Sequence, residues 1–103
     1  MNKHIEIMKF LILSLLYNEK LIRGKWRLRI KTIGLLHRVN LKLENFIEFL
    51  ILFNKAENEL IKEKLICRER ELIPPKGTYR YRYTLTKKGE EAFKKYNIVG
   101  FIK

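Results

Sequence analysis

A chain of 103 residues with 47% apolar and 33% charged side chains reads as one globular domain, residues 1–103, because that length buries roughly 60–70% of the unfolded surface. Its apolar content is too high for a disordered chain. The formal net charge of +12 points to a polyanionic partner. Cys67, as the single cysteine, excludes an internal disulfide. With His4 and His37 alone beside it there is no zinc-ligand spacing, and neither metal nor cofactor is expected.

The charge is segregated along the chain. Residues 1–43 carry ten Lys/Arg against two Glu, residues 44–73 carry five against seven, and residues 74–103 carry eight against two. Two basic segments therefore flank an acidic middle, and self-repulsion of this size is tolerated mainly when a partner relieves it. The apolar runs "FLILSLLY" and "FIEFLILF" fall short of the 18 or more residues that span a bilayer, so no membrane partner is expected. No small-residue cleavage pattern follows the first run, and an intracellular, cytoplasmic setting is the expectation. Asp and Gln are absent, a bias of proteins from hot environments, although seven Asn residues argue the other way.

Residues 4–17 place Ile5, Met8, Leu11, Ile12, Leu15 and Leu16 at spacings of three and four, which predicts a helix ending near "YNEK". Residues 24–39 fit both a strand alternation and a helical face, and sixteen residues interrupted only by Gly34 suit a helix better. From 39 to 65, Phe46, Phe49, Leu50, Phe53, Ala56, Leu60 and Ile61 recur at helical spacing. Asn54 with Glu57 three positions on has the form of a capping box, so this run is either one helix or two that break at residue 54.

Residues 65–73 and 79–86 are β-prone runs separated by "PPKGT", where proline suits a turn and Gly77 permits a positive φ; together they predict a hairpin. Tyr79, Tyr81, Tyr83 and Leu85 share one strand face, expected to pack on the helices, and Arg80, Arg82 and Thr84 share the other. Thr86, with Glu90 and Glu91 in the turns after it, starts a last helix.

The order helix, helix, helix, hairpin, helix, with "ELIKEKLICRERE" leading into the first strand and "YRYTLTKKGEEAF" leaving the second, resembles the winged-helix family. The resemblance is to PadR- and MarR-like regulators and to small winged-helix proteins of viruses that infect hyperthermophilic archaea. It covers most of residues 8–96 and implies a fold that is mainly α with a β-hairpin wing, a winged helix-turn-helix, with the wing at 65–86 and the C-terminal helix at 87–98. It departs from the family at Lys64, where a glycine is usual. It departs again in the third helix, whose five Glu against three Lys make a poor phosphate-facing surface.

The resemblance implies a dimeric regulator that binds double-stranded DNA sequence-specifically. Lys76 at the wing tip, with Arg80 and Arg82 on one strand face, would reach phosphates or a minor groove. Cross-strand pairing of those arginines with Glu69 and Glu71 competes with that role. Arg23, Lys25, Arg27, Lys31 and Arg38 would contact the backbone. Asn54, Lys55 and Asn58 would read bases, with Asn54 equally explained as a cap. A homodimer is expected because "YNIVGFIK" is apolar for a terminus and the first helix offers more apolar surface than one small domain needs. The alternative is a winged-helix module that docks a protein on its acidic third helix. An enzyme is not expected, since no Asp, no Gly-rich phosphate loop and no nucleophile–base pair is present, nor is any small-molecule substrate evident.

Overall fold

The computed structural model describes residues 3–39, 42–75 and 77–98, the last three by backbone alone. Along the chain run α1 (Lys3–Glu19), β1 (Leu21–Arg23), α2 (Lys25–Arg38), α3 (Phe46–Lys62), β2 (Ile66–Ile73), β3 (Thr78–Leu85) and α4 (Lys87–Ile98). The fold is mainly helical, with a small antiparallel sheet of order β1-β3-β2. No helix among the described residues is long and apolar enough to cross a membrane.

Helix α1 is the centre of the core. Eight of its apolar residues, Ile5, Met8, Phe10, Leu11, Ile12, Leu13, Leu15 and Leu16, are buried, and they point in every direction around the axis, as expected of a helix wrapped on all sides. Packed around it are α2, α3, α4 and β3. The surplus apolar surface expected on this helix for a second copy is therefore consumed within the chain. Lys9 is buried on the same helix and lies 3.0 Å from Glu63, 3.3 Å from Glu59 and 3.6 Å from Glu6. Burial pulls its ammonium down, but these carboxylates outweigh that and hold it above the ordinary lysine value.

Strand β1 was not expected from the sequence. Three residues are too few to show a period, and tertiary pairing decides them: Leu21 faces Thr84, Ile22 faces Tyr83 and Arg23 faces Arg82 across the ladder. The Gly24 amide then donates to the Tyr81 carbonyl (2.7 Å) as α2 begins, so the start of α2 is fixed to the middle of β3.

Residues 46–62 form one helix, not two. The Asn-x-x-Glu signature occurs twice, at Asn45/Glu48 and at Asn54/Glu57, and the first is the cap. The Glu48 amide donates to Asn45 Oδ1 (2.8 Å), and the Glu44 amide donates to the Glu48 carboxylate (2.7 Å). At the second, the stripe Phe49, Phe53, Ala56, Leu60 is buried without interruption, and a break there would unpair backbone groups with nothing to replace them.

The helix ends in a Schellman motif. The Leu65 amide donates to the Leu60 carbonyl (2.9 Å), and the Lys64 amide to that of Ile61 (3.0 Å). Lys64 takes φ +62°, the left-handed conformation that glycine adopts most cheaply. Thr86 caps α4: its hydroxyl accepts from the Gly89 amide (2.9 Å) and lies 2.7 and 2.9 Å from the Lys64 and Leu65 carbonyls. A side chain at Gly89 would meet the Leu65 carbonyl oxygen at 1.9 Å. The glycine lets α4 start directly against the turn that ends α3.

The hairpin has the predicted bounds within a residue, with Ile66 opposite Leu85 and Ile73 opposite Thr78, and Gly77 at φ +70°. Strands of eight residues reach about 26 Å, and only their base lies on the helices. Tyr83 is fully buried, Tyr81 is half-buried and Tyr79 is exposed. The expectation that all three pack on the helices therefore fails at Tyr79, which instead lies under Arg70, with 4.5 Å from guanidinium to ring centroid. Arg68 covers Tyr81 in the same way at 4.8 Å.

Candidate nucleic-acid interface

Four of the five acids of segment 44–64 have partners for their carboxylates. Glu48 accepts from the Glu44 amide at the helix start, Glu57 is buried at 1% exposure, and Glu59 and Glu63 pair with Lys9; the exposed Glu44, ahead of the helix, contributes only that amide. What remains on the outward stripe, at steps of three and four, is Ile47, Ile51, Lys55, Asn58 and Lys62, all exposed. No acid shares it, and neither lysine has an ion-pair partner among the described residues.

Glu57 ties this helix to the rest of the site. Its Oε2 accepts from Arg68 Nη1 and from the Tyr83 hydroxyl, both at 2.8 Å. Its Oε1 lies 3.7 Å from Lys25 Nζ. Burial, then the neighbouring Glu57 carboxylate, pushes the Tyr83 phenol far up, so it stays a donor. For Arg68, burial works downward, but the hydrogen bond and charge of Glu57 overcome it and hold the guanidinium above its ordinary value. One buried carboxylate thus joins α3, both strands of the hairpin and the first turn of α2.

A second cluster gathers where β1, α2 and β3 meet. Arg23, Arg27 and Arg80 line one hollow together with Glu19, Leu21 and Ile22. Arg23 Nε and Arg80 Nε each lie 3.0 Å from Glu71 Oε1. The Arg80 hydrogen bond and the Arg23 charge hold the Glu71 carboxyl below the usual carboxylate range. Beside them Arg82 Nη2 donates to Glu69 (2.6 Å). Arg27 lies in this hollow without an ion-pair partner among the described residues.

The predicted residues fall into three groups. Arg27, Arg38, Lys55 and Asn58 are exposed and available to a ligand. Arg23, Lys31, Arg80 and Arg82 are charged at the surface but already paired, Lys31 with Glu19 (3.0 Å) and the arginines as above. The cross-strand pairing that competed with a wing role is thus formed. Solvent screening leaves such exposed pairs little hold on the fold, so a phosphate oxygen could take the place of the carboxylate.

Two residues turn inward. Lys25 faces buried Glu57, and Asn54 accepts from Arg29 Nη2 (3.3 Å), whose guanidinium also lies 5.7 Å from the centre of the Phe53 ring. Asn54 is neither a cap nor an outward reader, because this contact between α2 and α3 occupies its carbonyl oxygen. Lys76 lies outside the described residues, and the apolar tail 99–103 does too. Sequence reasoning passed over Ile47, Ile51 and Lys62; starting the helical wheel at the Asn45 cap would have placed all three on the stripe with Lys55 and Asn58.

No family model, curated protein or solved structure matches this chain.

Proposed function

We propose that this chain is a winged-helix protein of PadR/MarR-like type that binds double-stranded DNA as a transcriptional regulator. In this reading α3 enters the major groove, the hairpin β2–β3 is the wing, and Arg27 and Arg38 on α2 contact the flanking backbone. The observation that carries it is the sorting of charge on α3: a helix acidic by composition turns an acid-free stripe with Lys55, Asn58 and Lys62 to solvent. A helix of that face and about 10–12 Å diameter fits the major groove.

Supporting it, Lys64 takes the left-handed conformation at the position where the family resemblance has glycine. The close approach at Gly89 gives a physical reason for the "TLTKKG" signature. The shared hollow of Arg23, Arg27 and Arg80 would let the wing and the first turn of α2 contact one phosphate strand together. The alternative of an acidic docking helix is not favoured, since Glu57 is buried and Glu59 and Glu63, though partly exposed, are paired with Lys9. Pairing of two copies on half-sites remains part of the proposal, with the tail beyond residue 98 as its ground.

Fluorescence anisotropy on duplex DNA across a salt series tests this reading. With roughly four to six phosphates neutralised per protomer, log K falls with log salt at a slope of about −4 to −5. A flat response would remove DNA binding from consideration.

A further inference from the structure

Two large apolar side chains on the outward stripe of α3 have no role in the fold. Ile47 and Ile51 are 67% and 61% exposed and lie one helical turn apart. Other exposed apolar residues nearby have neighbours: Trp26 meets Phe46 edge to face at 6.3 Å, and Phe46 stacks on Phe49 at 5.9 Å. The isoleucines instead continue the line of Lys55, Asn58 and Lys62. They occupy the N-terminal half of the helix, the half that meets base edges when a recognition helix lies in the major groove.

Resting on the DNA-binding reading above, we infer that Ile47 and Ile51 read the 5-methyl groups of thymine in the major groove. The groove edges of all four base pairs present hydrogen-bonding groups, and the thymine methyl is their apolar feature. An isoleucine placed there can gain only from that methyl, and it leaves donors and acceptors unpaired against any other base. Its branched Cβ holds one χ1 rotamer in a helix, so little side-chain entropy is lost on contact.

The spacing fits as well. Four residues rise about 6 Å along the helix, and successive bases of one strand rise about 3.4 Å, so the two side chains reach methyls one or two steps apart. Asn58, further along the same stripe, has the amide geometry for adenine N6 and N7. Lys55 and Lys62 make the stripe complementary to a polyanion and repel a second copy of this +12 chain. The preferred site is therefore rich in A·T pairs and recognised in the major groove.

The test uses a duplex selected by the full-length protein from a random pool, compared with the same duplex carrying deoxyuridine in place of every thymidine. At about 0.8 kcal/mol per buried methyl, each lost contact weakens binding about fourfold, and two weaken it about fifteenfold. The double variant Ile47→Ala/Ile51→Ala is expected to bind both duplexes equally, while Ile30→Ala keeps the wild-type preference.

Equal binding of the two duplexes by the wild type overturns the inference and leaves DNA binding standing. A preference that persists in the double variant also overturns it, and assigns the effect to duplex shape. Failure to bind any duplex overturns the inference together with the reading beneath it. Sedimentation of the free protein completes the test: a dimer lost in the double variant would make these isoleucines a subunit contact, against the inference.

Discussion

Helices α1 and α3 are the same length, 17 residues each, and both are built from leucine, isoleucine and phenylalanine. In α1 the apolar residues are buried all round; in α3 they are buried on one side, and Ile47 and Ile51 project from the other. The difference is not in how apolar the helices are but in what surrounds them. The charged residues follow the same division, since α1 buries a lysine that draws Glu59 and Glu63 off α3, and the face of α3 turned away from α1 is left apolar and basic. The central helix thereby shapes the surface of the outer one.

Truncation breaks the symmetry most directly. Leu11→Ala in α1, at a fully buried site, is expected to cost about 2–5 kcal/mol in urea unfolding. Ile51→Ala in α3 should stay within about 0.5 kcal/mol. Equal losses would mean that Ile51 is part of the core.

The inner side of α3 should prove nearly as sensitive as α1. Glu57→Ala removes the partner of Arg68, Tyr83 and Lys25, and denaturant unfolding should show a loss of about 3 kcal/mol, the partial exposure of Arg68 allowing some recovery.

Lys9→Met tests the link between the two helices, and is expected to cost about 1–2 kcal/mol at neutral pH because Glu59 and Glu63 remain partly solvated. The folded state holds the Lys9 ammonium above the ordinary lysine value of 10.5. Its contribution is therefore complete below about pH 10.5 and is lost as pH rises through the folded value. The stability gap between wild type and Lys9→Met should hold from neutral pH to about pH 10 and close above that. A gap that stayed open at strongly alkaline pH would show that the Lys9 charge is not its source.

The smallest effect is a gain. Lys64→Gly should raise stability by about 0.5–1 kcal/mol in thermal unfolding, since the left-handed strain of a lysine exceeds the added freedom of glycine in the unfolded chain.

Much of the fold was legible because it rests on local signals. The apolar periods of α1 and α3, the turn residues Pro75 and Gly77, and the cap at Thr86 each act within a few residues. Strand β1 was not legible, since three residues acquire their conformation only by pairing with Tyr83 and its neighbours. The capping signature at Asn54 misled because Asn-x-x-Glu is a local pattern whose competitor, an unbroken buried stripe, is not local. For the candidate site, Arg27, Arg38, Lys55 and Asn58 were found as exposed polar residues on predicted helices. Lys25 and Asn54 were misplaced because their partners, Glu57 and Arg29, are on other elements.

The amino-acid sequence alone determined a basic, mostly helical domain with a hairpin near its end, because composition, period and turn chemistry are properties of neighbouring residues. Only the tertiary structure decided which way each charge faces. A carboxylate on α3 turns inward or outward according to whether a cation such as Lys9 on α1 or Arg68 on β2 waits on the element packed against it, and no local pattern connects residues 50 apart, as Lys9 and Glu59 are, or 11 apart, as Glu57 and Arg68 are.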